Sequence, residues 1–467
     1  MKQGVISYPS SVRLIISLCL ILSTVLLSSF THAQSDAQNQ HAQQLDWETC
    51  LQEALDKNPD FQKTQVRVQQ VDGQALALES QLLPKLSTKA TSSPVVATTT
   101  GTQLVFSGAS IPIIRASHAI RSAARINVEL EALELIWKLR RAFAAALLTR
   151  KLEALEERKA RIFQQRVKRA PSLFDAGRLT RADVVAMEVR SSLAQEDLSK
   201  ARLRHQQALL DLDSIMGINS SHALFNKPVE GNFSTDTQLD LSLEESIDYA
   251  LQNRTDLKAL KELKVAADQK VIITLSQQLP ALYAEGTLRV ESELPPPLNQ
   301  LEEAVNPSGN RSQDNADKNT EGIRNTRASY GFRIPWRVFD GGATFGQVKG
   351  AYAEAVNQRT LLIQTEKAIP WQVTTAYKAF AELSQTFLQL EEKNISQRSL
   401  ELAQELFDQG QISQIEMLDA IEEDIAYRAE RLKTLYSMEV AQAHLDYVTG
   451  NSARFLPEAS PCCLKSK

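Results

Sequence analysis

Apolar residues recur at spacings of three and four through much of the chain, which predicts long helices packed along narrow seams. Residues 109–168 contain a single early proline and predict a helix of roughly 90 Å at 1.5 Å per residue. A second long helix follows later in the chain, where Pro370 is expected to kink it. Its seam shows coiled-coil spacing, for which core packing is a sufficient explanation: Val373, Ala376, Phe380, Leu383, Phe387 and Leu390.

Two segments show the alternation of β-strands instead. Ala328, Tyr330, Phe332 and Ile334 alternate with polar residues or glycine, so one face of the predicted strand is apolar. This pattern is typical of a membrane barrel wall, although a half-buried hairpin of a soluble protein is the alternative. Residues 85–106 have room for two strands around a two-residue turn near Pro94, whereas residues 295–325 predict a long exposed loop.

The chain contains an internal repeat. Residues 45–86 match residues 241–282 at a constant offset of 196, with 11 identities in 42 positions. Later matches have an offset of 233, so the second copy carries a 37-residue insertion after its first helix. Each copy predicts a helix ending at Pro84 or Pro280, a strand segment, a very long helix, a tight turn and a last helix. We expect repeat 1 to span 34–238, repeat 2 to span 239–450, and a tail to span 451–467.

The turn before the last helix has the same chemistry in both copies. Gly177 and Gly410 suit the left-handed residue just after a helix end. Thr180 with Asp183, and Ser413 with Glu416, match the capping box that begins the next helix. The sequence therefore predicts two antiparallel helical hairpins.

The N-terminus resembles an export signal. Lys2 and Arg13 precede an uncharged apolar stretch at 14–27, and small residues end at Ala33, where cleavage is expected. The alternative is a membrane anchor, but the stretch is shorter than the ~20 residues that a spanning helix needs.

Composition excludes several classes of function. The 467 residues include only 17 glycines and 16 prolines, which favours long helices, and the net charge of −4 without a basic block argues against nucleic-acid binding. Scattered histidines form no metal motif, so no metal is expected. No phosphate loop or nucleophile elbow is present, so we expect neither a cofactor nor enzymatic activity. Cys50, Cys462 and Cys463 form no recognisable disulfide framework.

Two predicted hairpins supply four strands, which are too few to close a barrel, because about eight strands form the smallest common outer-membrane barrel. Open strand edges cannot face lipid. Several copies must therefore pool their strands, and the same assembly would place the helical hairpins in a ring.

The repeat, the Asn58-Pro59-Asp60 run after a helix, and Val338-Phe339-Asp340-Gly341-Gly342 together resemble the TolC-type outer-membrane efflux proteins, from about Leu45 to Gly450. The first copy differs at 106–109, where this family prefers Asp and a second Gly. The resemblance implies a mainly α fold with β: a trimeric α-barrel of long coiled-coil hairpins and a shared transmembrane β-barrel.

The same resemblance implies a homotrimeric passive exit duct in the outer membrane, extending into the periplasm. Its partners would be an inner-membrane transporter and a periplasmic adaptor (membrane fusion protein), in tripartite efflux or type I secretion. The alternative function is a periplasmic coiled-coil adaptor or scaffold without a channel.

The resemblance also assigns two sites. The tips that dock adaptors correspond to Gly177, Arg178, Leu179, Thr180, Gly410, Gln411, Ile412 and Ser413. The acidic periplasmic gate corresponds to Glu416 and Asp419, three positions apart on one helical face. Helix capping alone would also explain the tip residues, and solvation would explain the acids.

Overall fold

A computed structural model describes residues 46–92, 95–218, 229–292, 325–392 and 395–451. The predicted signal peptide, the turn at Pro94, the tail beyond residue 451 and the loop predicted at 295–325, except its last residue, lie outside these residues. Asn325 was predicted in the loop but begins a strand. None of the described helices combines the length and apolar character needed to cross a membrane.

Helices make up most of the described chain, together with four strands. In chain order they are α1 (Trp47–Lys57), α2 (Pro59–Glu79), β1 (Lys85–Ser92), β2 (Val95–Phe106), α3 (Ser110–Asp175), α4 (Arg181–Met216), α5 (Leu243–Asn253), α6 (Thr255–Leu275), β3 (Leu282–Ser292), β4 (Asn325–Arg333), α7 (Ala343–Glu392), α8 (Ile395–Asp408) and α9 (Gln414–Thr449).

The first helix of each repeat is in fact two helices, so the prediction of one helix reaching Pro84 or Pro280 is wrong. Asn58 separates α1 from α2: its side-chain oxygen accepts a hydrogen bond from the Phe61 amide at 2.9 Å. Pro59 follows at the first helical position, where its missing N–H is not needed. In repeat 2 the break falls at Arg254. In repeat 1 a side-chain cap thus begins a new helix within a continuous helical pattern, whereas Arg254 makes no side-chain capping bond in repeat 2.

The long helices of the prediction are present. Helix α3 continues past the expected end to Asp175, through Pro171, and α7 is continuous through Pro370. Along α7, Val373, Ala376, Phe380 and Phe387 are buried as predicted. Leu383 and Leu390, also predicted in the seam, are half-buried. Ser384 is buried in place of Leu383, because a straight helix of 3.6 residues per turn drifts from a strict heptad.

The strands form one antiparallel sheet in the order β1-β2-β3-β4. Both predicted hairpins are present, and β2 pairs with β3, which joins the two repeats in one sheet. Side chains alternate between two faces. The more apolar face, called the apolar face below, carries Leu86 on β1, Ala284 and Leu288 on β3, and Tyr330 and Phe332 on β4, together with the polar residues Thr88, Thr99 and Gln103. The polar face carries Lys85, Lys89, Thr98, Thr100, Thr102, Glu285, Thr287, Arg289, Arg327, Ser329 and Arg333.

The chain divides into two compact units, each with segments from both repeats. The first unit comprises the described residues of Met1–Lys57, Arg141–Thr235 and Leu390–Tyr436, and the second comprises those of Asn58–Arg140, Asp236–Gln389 and Ser437–Lys467. In the second unit, a core cluster buries Ala250, Leu257, Ile369, Val373 and Val448. The sheet belongs to this second unit, whereas both hairpin turns belong to the first.

Candidate functional site

The turn between α3 and α4 has a defined backbone geometry. Gly177 adopts the left-handed conformation with φ of 73°. The amide of Arg178 donates to the Leu173 carbonyl at 2.9 Å, and that of Gly177 donates to the Phe174 carbonyl at 2.9 Å. These two bonds form a Schellman motif, which satisfies carbonyls at the helix end.

The turn between α8 and α9 reproduces this geometry at the offset of the repeat. Gly410 has φ of 71°. The Gln411 amide donates to the Leu406 carbonyl at 2.8 Å, and the Gly410 amide donates to the Phe407 carbonyl at 3.0 Å. Two hairpin turns with matching hydrogen bonds therefore end the two helical hairpins.

Both predicted capping boxes are confirmed. The Asp183 amide donates to Thr180 Oγ1 at 3.2 Å, while the Thr180 amide donates to Asp183 Oδ2 at 2.8 Å. In the second hairpin, the Glu416 amide donates to Ser413 Oγ at 3.2 Å and the Ser413 amide donates to Glu416 Oε2 at 2.6 Å. These bonds lower the pKa of both Asp183 and Glu416, because they stabilise the charged carboxylates.

Beneath the turns, both hairpins contribute to one hydrophobic cluster. It buries Ala160, Phe163, Ala170, Met187, Ala194, Met417, Leu418, Ile421 and Ile425. Two of the predicted tip residues, Leu179 and Ile412, are half-buried and pack against this cluster. These two side chains therefore anchor the turns.

The other six tip residues, Gly177, Arg178, Thr180, Gly410, Gln411 and Ser413, are exposed. They form the surface available at the turns. This surface differs between the copies, because the cation Arg178 is replaced by the neutral Gln411 at the equivalent position.

The two predicted gate acids are exposed on α9, but their partners differ. Glu416 is the capping-box acid, whereas Asp419 accepts a hydrogen bond from Nη1 of Arg190 on α4. The same guanidinium lies 4.0 Å from Glu422. One cation thus faces two carboxylates, so Glu416, Asp419 and Glu422 together still carry a negative charge.

Sequence reasoning missed Arg190, which ties the first hairpin to the second. A sequence signal was present, since the equivalent position in repeat 2 is Glu423, of opposite charge.

A charged groove lies beside Arg190. In it, Nζ of Lys159 lies 2.9 Å from Asp197 and 2.7 Å from Glu156. These charged side chains line a groove of about 320 Å³ between α3, α4 and α9.

A second duplicated feature lies at the end of the last helix of each repeat, in different compact units. Asp213 and Asp446 occupy equivalent positions and are 2% and 5% exposed. Each accepts, through its main-chain oxygen, the closing bond of a Schellman motif at Gly217 or Gly450. Burial, followed by repulsion from Glu53, raises the pKa of Asp213 to about 6. Asp446 instead lies 3.6 Å from Nη1 of Arg140.

The segments that join the strands to the long helices occupy equivalent positions in the two repeats. The Asp340 carboxylate accepts from the Gly342 amide at 3.1 Å and from the Thr344 amide at 2.9 Å, at the start of α7. The bond from the Thr344 hydroxyl, followed by that from the Thr344 amide, lowers the pKa of Asp340. Ser107 stands at this position in repeat 1, and its Oγ accepts from the Ala109 amide at 3.1 Å. The first copy therefore keeps a side-chain cap, with a serine in place of the aspartate, but its backbone differs. Gly341 and Gly342 have φ of 68° and 91°, whereas neither Gly108 nor Ala109 has a positive φ.

Among the described residues, no three His, Cys, Asp or Glu side chains are grouped so that they could hold a metal ion. No protein-family profile matches the chain, and no curated protein matches its sequence.

Solved structures do match the fold. The CmeC outer membrane channel of Campylobacter jejuni has a TM-score of 0.69 at 16% identity, covering 86% of this chain and 85% of that one. CusC, described in connection with transmembrane channel formation, gives 0.68 at 16% identity, with 86% and 91% covered. The MtrE outer membrane channel of Neisseria gonorrhoeae gives 0.62 at 15% identity, with 86% and 88% covered.

The chain has the fold of TolC-type outer-membrane channels. The predicted fold class, mainly α with one β-sheet and long helical hairpins, is confirmed, and so is the resemblance at the level of the fold. In this channel fold, the equivalent turns at Gly177 and Gly410 end the two helical hairpins, and the two β-hairpins share one sheet.

Proposed function

We propose that the protein is a passive exit duct of the outer membrane, extending into the periplasm as a homotrimer. It would serve tripartite efflux or type I secretion together with a periplasmic adaptor and an inner-membrane transporter. The observation that carries this proposal is the sheet: four strands with two open edges and one exposed apolar face.

The edges argue for assembly. Within the described chain, β1 and β4 each pair on one side only. Unpaired N–H and C=O groups on such edges are unfavourable in water, where they invite pairing, and intolerable in lipid. Copies that pair β4 of one chain with β1 of the next would satisfy both edges and close the sheet.

The two faces argue for a membrane around this sheet and water inside it. Tyr330 is 96% exposed and Phe332 is 76% exposed on the apolar face. The opposite face carries threonines and charged side chains, among them Arg333, which pairs with Glu285 at 3.0 Å. An apolar outer face with a polar inner face is the arrangement of a membrane duct.

Fractionation of cells, native mass spectrometry and planar-bilayer recording test this proposal together. We expect the full-length protein in the outer membrane, as trimers that conduct ions. Recovery as a soluble periplasmic monomer would contradict it and would favour the adaptor or scaffold alternative.

Matched variants test the assignment of the faces. Tyr330→Arg places a charge on the apolar face and should reduce insertion, by about 2–4 kcal/mol if the site lies at the bilayer centre. Ser329→Arg, the neighbouring position on the polar face, should insert normally. Equal insertion of the two variants would refute the assignment.

We further propose that the exposed tip residues dock the adaptor. Gly410→Phe should impair export while leaving trimers intact, because it changes the shape of an exposed turn whose φ is left-handed. Gln404→Phe, an exposed site on α8 away from the turn, is the control. Unaltered export in the Gly410 variant would count against the tip assignment.

The gate role is proposed for Glu416 and Asp419, modulated by Arg190. A ring of carboxylates favours cations, so Glu416→Gln combined with Asp419→Asn should weaken block of the single-channel current by divalent cations. Arg190→Gln should strengthen the block, because it leaves the carboxylates without their cation. If divalent cations block the current of both variants as strongly as that of the wild type, these acids do not line the mouth of the channel.

A further inference from the structure

The apolar face of the sheet has a groove along its two central strands. One row across the sheet pairs Leu86 with Gly101, Gly101 with Gly286, and Gly286 with Tyr330. In this row the large side chains stand on the outer strands and are 78% and 96% exposed, whereas the central strands present only backbone. Thr99 and Leu288 occupy the central strands in the next row and close the groove on that side. With strands about 4.8 Å apart, the two walls of this row are roughly 14 Å from each other.

The neighbouring row continues the groove. Ala284 on β3 pairs with Phe332 on β4, so a small residue again lies beside a large aromatic one. The groove has a volume of about 440 Å³ and is lined by Leu86, Gly101, Gln103, Ala284, Gly286, Tyr330 and Phe332, among others. Its two side walls are one aliphatic and two aromatic side chains. The Gln103 side chain lies at one end, where its amide nitrogen donates to the Leu82 carbonyl at 2.9 Å and to the Leu104 carbonyl at 2.8 Å.

The two glycines on its floor are not required by the folding of the chain itself. Neither has a positive φ. A Cβ on Gly101 would lie 3.7 Å from Cδ1 of Leu86, and a Cβ on Gly286 would lie 4.0 Å from the Ser329 carbonyl oxygen, both ordinary contacts. Glycine weakens a strand, and within one it often marks a place where a ligand approaches the backbone closely.

The position of the groove decides between occupants. A second copy of the chain would pair with the edge strands β1 and β4, and it would leave the central strands β2 and β3 uncovered. On the proposed function, on which this inference rests, the apolar face meets the hydrocarbon of the membrane. A linear chain of methylene groups can lie on the bare backbone between aromatic and aliphatic walls.

We propose that this groove binds one acyl chain of a membrane phospholipid per copy of the protein. The glycine floor allows the chain to lie against the backbone, with Leu86 on one side and Tyr330 and Phe332 on the other. Such a lipid is held in a fixed place, in contrast to the exchanging lipids around the rest of the sheet.

Native mass spectrometry of delipidated trimers mixed with palmitoyl-oleoyl-phosphatidylglycerol tests this site. We expect wild-type trimers to retain lipid and Gly286→Leu trimers to lose it, since the new side chain fills the groove. The expected fall in affinity is on the order of tenfold, which corresponds to about 1.4 kcal/mol and to contact with roughly two methylene groups. Ser329→Leu is the matched control, because residue 329 alternates with Tyr330, projects from the polar face and does not line the groove.

Channel conductance is recorded for every variant, so that loss of lipid is scored only on assembled trimers. If Gly286→Leu does not assemble, Gly101→Ala takes its place, with a smaller loss expected. Equal lipid retention by the wild type and the groove variants, or equal loss in Ser329→Leu, overturns the lipid site while the channel remains. Failure of the wild type to form conducting trimers overturns the proposed function instead.

Discussion

Replacing Asp213 by asparagine should change how the stability of the protein depends on pH. The Asp213 side chain is buried near Glu53 of α1, and one of its carboxylate oxygens has no hydrogen-bond partner among the described residues. Burial is the main reason that its pKa is raised to about 6, and repulsion from Glu53 is the second. The folded protein therefore resists ionisation of this carboxyl group.

The magnitude follows from the difference between the folded and unfolded pKa values. An unfolded aspartate titrates near about 3.9, so the difference is about two pH units and corresponds to on the order of 3 kcal/mol. Below about pH 4 the group is protonated in both states and has no effect. As pH rises from about 4 to about 6, the folded state holds the proton more tightly, so stability is progressively lost. Above about pH 7 the group is ionised in both states, so the loss of stability reaches its full value.

Guanidinium unfolding of detergent-solubilised protein, followed by circular dichroism at several pH values, measures this effect. The difference in unfolding free energy between Asp213→Asn and the wild type should grow in favour of the variant as pH rises from about 4 to about 7. Other carboxylates, such as Glu416, have lowered pKa values and act in the opposite direction, but they cancel in the difference.

Asp446→Asn is the matched control at the equivalent position of repeat 2. Here Arg140 lies 3.6 Å from the carboxylate and also 3.3 Å from Glu439. Removing one acid from a buried charged group destabilises the fold, so this variant should be less stable than the wild type at neutral pH. A pH-independent difference for Asp213→Asn, or the same sign of effect in both variants at neutral pH, would refute the reasoning.

Three further predictions concern packing and helix ends, each measured as a change in unfolding free energy. Leu418→Ala should destabilise the hairpin cluster by about 2–5 kcal/mol, whereas Leu402→Ala, at an exposed site, should change stability by less than about 0.5 kcal/mol; similar losses would contradict the cluster. Gly450→Ala should be more damaging than Gly410→Ala, because both have a left-handed φ but only at Gly450 would a Cβ come within 3.1 Å of backbone; equal losses would argue against that contact. Asp340→Ala should cost about 1 kcal/mol as a lost cap at α7, and an unchanged stability would mean that the cap contributes nothing.

Local signals in the sequence were sufficient for the hairpin turns. The glycine and the Ser/Thr-x-x-Asp/Glu motif act within a few residues, so their left-handed φ and reciprocal hydrogen bonds were predictable and are present in both copies. The alternation in 327–334 predicted β4 for the same reason. Because the turn motif occurs at equivalent positions in both repeats, its presence in one repeat supported the same prediction in the other.

Local patterns were ambiguous where two rules competed. The helical pattern around Asn58 continues on both sides, and the break was missed because capping by that side chain overrides periodicity. The heptad spacing predicted Leu383 in the buried seam, but Ser384 is buried in its place. The reason is that a helix with 3.6 residues per turn drifts from a strict seven-residue repeat.

The sequence by itself determined the repeat, the long helices, the capped turns and the strands, since each depends on residues close together in the chain. Only the tertiary structure decided which of these residues meet. It pairs β2 with β3 across the two repeats, places Leu179 and Ile412 against a shared cluster, and brings Arg190 to Asp419. These contacts join residues far apart in sequence, and no periodicity or spacing encodes which helix faces which. Asp213 and Asp446, identical buried residues at equivalent positions, have different charged neighbours for the same reason: Glu53 acts on the first and Arg140 on the second.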